Sequence, residues 1–279
     1  MKKLVVVGGG AAGFFMPSIF INIGCGQNGL LTGSLIGAFV LLFMKRSRLS
    51  GIPLGLMVIK PHLAAGIGLY VLFKKDWRTA FAAISTASLM MAISTWTFGV
   101  ARWSDFLDGV HEAGIGLENG IYPLFRMTSA YAAIYTLSGN AHWAMLGQAV
   151  SIGVGLILLL FVIRKRLPQR NALGLVCLSS GLWSPYFYDY DLPVLGIGVA
   201  LLLPAILQKV HGRQLGMAIT GMMLIQGGWL RQWPLELINK AQGLDTQATP
   251  TISFAFLLFL PLLGQAVRLV LSTIDYSST

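Results

Sequence analysis

Between the basic clusters Arg164/Lys165/Arg166/Arg170 and Lys209/Arg213 runs an apolar stretch, residues 171–208. It is broken once, by Ser184-Pro185-Tyr186-Phe187-Tyr188-Asp189-Tyr190-Asp191. The break divides the stretch into two helical segments joined by a polar, aromatic turn. Lys and Arg collect in the cytoplasmic loops of membrane proteins, so a segment that starts and ends among cations has gone out and come back. Residues 171–208 therefore read as a helical hairpin with its apex, 184–191, on the outer side.

The same pattern extends over the whole chain. Other apolar runs fall at 4–24, 29–44, 49–73, 79–99, 143–163, 214–230 and 250–271, and the remaining cations gather at Lys2/Lys3, Lys45/Arg46/Arg48 and Lys74/Lys75/Arg78. A span needs about 20 apolar residues. With every cluster on one side, 79–99 goes out and 143–163 returns, leaving an external loop at about 100–142, and a second external loop at 231–249 joins the last two runs. The expected fold is all-α: a single polytopic transmembrane helix bundle over 1–279 with about 9–10 membrane segments and both termini cytoplasmic.

Composition agrees. Of 279 residues 55% are hydrophobic and 11% charged, against about 25% charged in a soluble domain. The net charge of +10 excludes nothing alone, but a nucleic-acid binder gathers its cations on one water-exposed face or helix. Here they punctuate apolar runs, so no nucleic-acid partner is expected. Cys25 and Cys177 sit in apolar stretches without metal-ligand spacing and read as fillers.

The run 49–73 is anomalous, with cations at both ends and Lys60-Pro61-His62 at its middle. Proline ends or kinks a helix, and two half-helices of about 12 residues reach about 18 Å each. A short or re-entrant hairpin is expected, its apex buried in protein or water; a single kinked span is the alternative. On this map eight acidic residues, Asp105, Asp108, Glu112, Glu118, Asp189, Asp191, Glu236 and Asp245, lie outside, and only Asp76 and Asp275 inside. Carboxylate chemistry belongs on the outer face.

Gly8, Gly10 and Gly13 have the spacing of a dinucleotide fingerprint. That motif also needs a βαβ unit and an acidic residue about 20 positions on, and no carboxylate precedes Asp76. Close helix packing is the better reading, and no cofactor or metal is expected.

Four groupings remain as carriers of chemistry. Gln27 and Asn28, in Gly26-Gln27-Asn28-Gly29, offer amides at a helix start, or form only an Asn-Gly turn. Lys60 and His62 place ionisable groups at membrane depth, where such groups are functional candidates; snorkelling of Lys60 is the alternative. Asp189 and Asp191 sit among tyrosines that an aromatic belt also explains, and either could orient a hydroxyl or act as base. The stretch Arg102–Arg126 places Asp105, Asp108 and Glu112 on one face of an amphipathic helix, most simply a solvated face.

Gly26-Gln27-Asn28-Gly29-Leu30-Leu31-Thr32, Gly51-Ile52-Pro53-Leu54-Gly55-Leu56 leading to Ile59-Lys60-Pro61-His62, Trp77-Arg78, and Ser184-Pro185-Tyr186 through Tyr190-Asp191-Leu192 together resemble glycosyltransferase family 87. They do so in order, from about residue 15 to 210. The resemblance implies a bacterial GT-C-type enzyme of the inner (plasma) membrane. Such an enzyme transfers a mannose-like sugar, with inversion, from a polyprenyl-phosphate donor to a lipid or glycan acceptor on the extracytoplasmic side. For such a reaction Lys60, with His62 and Gln27, is the candidate for holding the phosphate, and Asn28, Tyr190 and Arg126 are further candidates for binding substrate. Family members begin with a helix and an aspartate-bearing external loop, and the first 14 residues here lack that pattern. The expectation is a member without its N-terminal part, truncated or inactive, with Asp191 or Asp189 standing in as base. The alternative is a non-catalytic carrier or flippase for lipid-linked glycans, because a lysine at membrane depth and paired hairpins also suit a transport path.

Overall fold

The structure, a computed structural model, describes residues 17–210, 212–226, 234, 237–238, 240–242 and 252–274. The glycine-rich segment 4–13, Glu236, Asp245, Asp275 and most of the loop expected at 231–249 lie outside the described residues. Within them every regular element is helical, and a lone antiparallel bridge pairs Met127 with Tyr188.

Helix α1 covers residues 17–24, and a turn through Gly26, in the left-handed region at φ 60°, leads to α2 (Gly29–Met44). Helix α3 (Gly51–Leu56) runs on through a 3-10 turn, Met57–Ile59, to Lys60, whose backbone is extended (φ −146°, ψ 70°). Pro61 then opens α4 (Pro61–Phe73). Proline suits a first helical position, where no N–H partner is required, so it starts a helix here where the sequence alone allowed a kink. Arg46, Arg48 and Ser50 line the same recess as Lys74, Lys75 and Asp76. Both ends of 49–73 thus lie together, as a hairpin requires; a single span would separate them.

Helix α5 (Trp77–Phe98) is capped by Asp76, which accepts from the Thr79 N–H at 3.1 Å. Gly51 and Gly55 of α3 lie flush against α5, where an added Cβ would collide with the Thr79 and Ala83 carbonyls. This is the close approach that small residues four apart allow. After α6 (Arg102–Glu118) come α7 (Ala130–Ser138) and α8 (Ala141–Arg164). The region 100–142 is therefore largely helical: α6 carries the helix expected around Asp105, Asp108 and Glu112, and α7 is added to it. Ser129 caps the start of α7 and Gly139, at φ 64°, ends it, and Ile134 packs onto Gly147 of α8.

The hairpin that decided the fold is α9 (Gln169–Leu178), extended by a 3-10 turn to Leu182, and α10 (Pro193–Lys209). The two cross at glycines: a Cβ on Gly198 would sit 2.8 Å from the Gly174 carbonyl. Helices α11 (Gly212–Ile225) and α12 (Ala255–Ile274) follow, and Lys209 of α10 donates to the carbonyl of Ser272 on α12.

Among the described residues three helices, α5, α8 and α12, are long and apolar enough to cross a membrane. α2, α4 and α10 are apolar but shorter, because turns and 3-10 segments at the apices consume residues that hydropathy alone assigns to spans. The main core joins α2, α4, α8, α9, α10 and α12 around Phe39, Leu63, Ile67, Val176 and Val194. Outward, Phe81, Ile84, Trp96, Val150 and Ile157 are exposed. Such continuous apolar surface marks a membrane protein.

Candidate functional site

Opposite the cationic recess, the turn 184–191 meets three other parts of the chain. A short antiparallel contact sets the register: Met127 pairs with Tyr188, and the Thr128 N–H donates to the Phe187 carbonyl at 2.6 Å. This puts Arg126, the last residue of a 3-10 turn Leu124–Arg126, beside Asp189. Arg126 Nε and Nη2 donate to Asp189 Oδ2 and Oδ1 at 3.0 and 2.9 Å, the two-pronged geometry that makes arginine–carboxylate pairs strong. The carboxylate is 2% exposed and the guanidinium 15%.

Lys60, at the apex of the α3–α4 hairpin, supplies the second pair. Its Nζ donates to Asp191 Oδ1 at 2.7 Å, with Asp191 1% exposed, while the Tyr188 N–H donates to Oδ2 at 3.3 Å. Between the pairs stands Tyr190. Lys60 Nζ lies 4.5 Å and Arg126 Cζ 5.7 Å from its ring centroid, within cation–π range, and Tyr188 stacks on it at 4.9 Å. The site thus holds two cations and two carboxylates around one aromatic ring.

Burial decides the titration of both acids. Desolvation raises Asp189, opposed by hydrogen bonds and charge from Arg126. It pushes Asp191 up to about 6, opposed by Lys60. A carboxylate near that value is suited to take a proton near neutral pH. An anion entering the site would compete with the carboxylates for both cations, and a hydroxyl could approach the freed carboxylate.

Of the residues expected from sequence, Lys60, Arg126, Asp189, Tyr190 and Asp191 come together here. His62 lies two residues beyond, its Nε2 buried without a hydrogen-bond partner. Gln27 and Asn28 do not join: both are exposed in the turn before α2, and among the described residues their side-chain amides have no hydrogen-bond partner. Asp105, Asp108 and Glu112 are exposed on α6, where Asp105 pairs with Arg102 at 2.5 Å.

Four participants were missed. Cys25, read as a filler, accepts from Arg126 Nη2 at 3.4 Å. Asn22 donates to the Tyr190 carbonyl at 3.0 Å and accepts from the Gly29 N–H at 2.7 Å, tying the start of α2 to the acidic turn. Gly29 is so close to the Tyr190 carbonyl that a Cβ would collide with it. Ser18 donates to Gln226 Oε1 at 2.9 Å and lies 3.4 Å from the Asp189 carbonyl. Ser18 and Asn22 stand four apart in the apolar run 4–24, a polar helix face in membrane-like sequence that could have been read. From Ser18 and Gln226 an apolar groove leads away between α10, α11 and α12, past Leu195, Val199, Leu202 and Ile206.

The sequence model of glycosyltransferase family 87 matches residues 2–185, including Lys60, Arg126 and the first two residues of the acidic turn. The match takes in residues 2–14, which the motifs quoted above leave out. No curated protein and no solved structure matches the chain. With well over half of its length inside the match, the chain belongs to glycosyltransferase family 87 and is a membrane glycosyltransferase by family.

Proposed function

We propose that the protein transfers a mannose-like hexose from a polyprenyl-phosphate donor to a hydroxyl of a lipid or glycan acceptor. The reaction takes place on the extracytoplasmic face of a bacterial plasma membrane, with both termini on the cytoplasmic side. The observation that carries this reading is the Lys60–Asp191 pair: a buried carboxylate and a lysine at the apex of a hairpin whose feet lie among the cationic loops.

In an inverting transfer the acceptor oxygen bonds to the sugar C1 as the bond from C1 to the phosphate oxygen breaks, its electron pair leaving on the phosphate. The acceptor's proton passes to Asp191. Lys60 exchanges its carboxylate partner for the phosphate and stabilises the charge that develops there, the usual source of the largest rate gain. Arg126, with Asp189 holding its fork in place, lies near the same ring and aids the phosphate. The apolar cleft beside α10, with about 60 Å³ open to water-sized molecules, marks where the start of the isoprenoid tail would lie, and its polar end at Ser18 and Gln226 adjoins Asp189.

Binding of polyprenyl-phosphate mannose to the purified protein tests the assignment. Lys60→Ala should weaken binding at least tenfold while the protein still inserts in the membrane and purifies folded. Unchanged donor affinity would remove Lys60 from the site and favour a carrier that grips the glycan instead.

A further inference from the structure

The opposite end of the molecule holds a second candidate site. The loops after α2 and α4 and the start of α5 enclose a recess with about 590 Å³ open to water-sized molecules. Arg46, Arg48, Lys74, Lys75 and Arg78 line it against a lone carboxylate, Asp76. That carboxylate is engaged as the cap of α5. Among the described residues none of the five cations forms an ion pair or donates a side-chain hydrogen bond; Lys74 Nζ rests 5.9 Å from the Tyr70 ring centroid.

Cations at helix C-termini complement the helix dipole, and cations in short loops orient membrane helices. Neither reason requires them to share a cavity. Arg46, Lys75 and Arg166 each end a helix in the left-handed region, at φ 54°, 56° and 48°, a conformation that helix ends normally reserve for glycine. Of the three, Arg46 and Lys75 line the recess and Arg166 does not, so what marks the site is five cations sharing one cavity, none of them in an ion pair among the described residues. Trp77, Phe43 and Gln169 complete the wall, and Gln169 Nε2 reaches across to the Phe43 carbonyl at 3.4 Å. An ionic floor with an aromatic rim fits a ligand whose head is a phosphate and whose body is apolar.

We propose that this recess binds a phosphate diester, supplied by the headgroup of an anionic phospholipid of the cytoplasmic leaflet. The bound headgroup relieves the repulsion among the five cations and holds together the two feet of the α3–α4 hairpin. That second consequence matters for transfer only if Lys60 at the hairpin apex acts as proposed above; the binding itself does not depend on it.

The test uses full-length protein in phosphatidylcholine nanodiscs, titrated with cardiolipin or phosphatidylglycerol, with bound lipid counted by native mass spectrometry and stability followed by thermal unfolding. Arg46→Gly/Lys75→Gly removes two charges and relieves two left-handed backbones, so it should unfold at the same temperature or higher without anionic lipid. Its affinity for anionic lipid should fall roughly 30-fold, the worth of two cations beside a lipid headgroup. The control Arg164→Gln/Arg166→Gln, cations outside the lining, should change affinity less than threefold. Equal losses in both variants would reduce the effect to general surface charge and overturn the site. Stabilisation by inorganic phosphate but not by either lipid would replace the lipid with a soluble anion and overturn its source.

Discussion

The Arg126–Asp189 pair offers the clearest energetic test, because the structure fixes both its geometry and its burial. Arg126→Met keeps most of the side chain's length and removes the fork, leaving a carboxylate 2% exposed that loses two hydrogen bonds of 3.0 and 2.9 Å. Removing one partner of a buried pair costs about 3–5 kcal/mol. Replacing both partners, in Arg126→Met/Asp189→Asn, removes the stranded charge and should cost about 1–2 kcal/mol, about 2–3 kcal/mol less than Arg126→Met alone, and the cost of Asp189→Asn alone adds to that difference, so a double-mutant cycle should give a coupling of at least about 2 kcal/mol. The pH dependence supplies a second readout. Burial already raises Asp189 against the pull of Arg126, so without Arg126 its folded value rises further above the unfolded one. A raised carboxyl stabilises the fold below its unfolded value, and that contribution is lost as pH rises. The single variant should therefore gain stability as pH falls towards the unfolded carboxyl value, and the double variant should not. Reversible unfolding in mixed micelles, followed by tryptophan fluorescence, measures both. A coupling under about 0.5 kcal/mol, or the same pH trend in both variants, would refute the claim that a buried charge pair organises the outer site.

Three further expectations follow from the same geometry. Asp191 is held up to about 6, so its contribution to stability is present at acid pH and fades as pH rises through about 6, whereas a base must be deprotonated to act. The transfer rate should fall about tenfold per unit below pH 6 while the unfolding midpoint does not fall with it, and a flat rate profile from pH 7 to 5 would remove Asp191 as the base. Gly29→Ala drives a methyl into the Tyr190 carbonyl and should cost about 1–3 kcal/mol and most of the activity; Gly24→Ala, with nothing within 4 Å, should be silent in both thermal unfolding and transfer. Gly55→Val should separate α3 from α5 and abolish folded yield on size exclusion, whereas Gly68→Ala, in open space on α4, should purify like the parent.

Much of this arrangement was legible in residue order. The turn 184–191, the break at Lys60-Pro61 and the helix around Asp105, Asp108 and Glu112 each declare themselves within a few residues, through charge, proline or a helical period. What could not be read is who meets whom. Lys60 finds Asp191 131 residues away, Arg126 finds Asp189 63 away, and Ser18 finds Gln226 208 away. No local pattern encodes such distances; they follow from glycine-lined crossings such as Gly174 with Gly198 that fix how far helices approach. Helix α7 was missed because Ala130–Leu137 is too short to register as an apolar run, and its stability comes from its caps and from α8. Helix lengths could not be read either, because hydropathy does not see a 3-10 turn such as Ser179–Leu182 shorten a helix.

The most direct measurement is sugar transfer itself. Purified protein, reconstituted in lipid vesicles with polyprenyl-phosphate mannose labelled in the sugar and a membrane extract as acceptor, should move label from the donor to a new lipid or glycan product. Asp191→Asn should reduce that transfer at least a hundredfold while still binding the donor, since the general base contributes about 10²–10⁴. Transfer that survives in Asp191→Asn, or label that crosses the bilayer still attached to its polyprenyl phosphate with no product formed, would contradict an enzyme built around the Lys60–Asp191 pair.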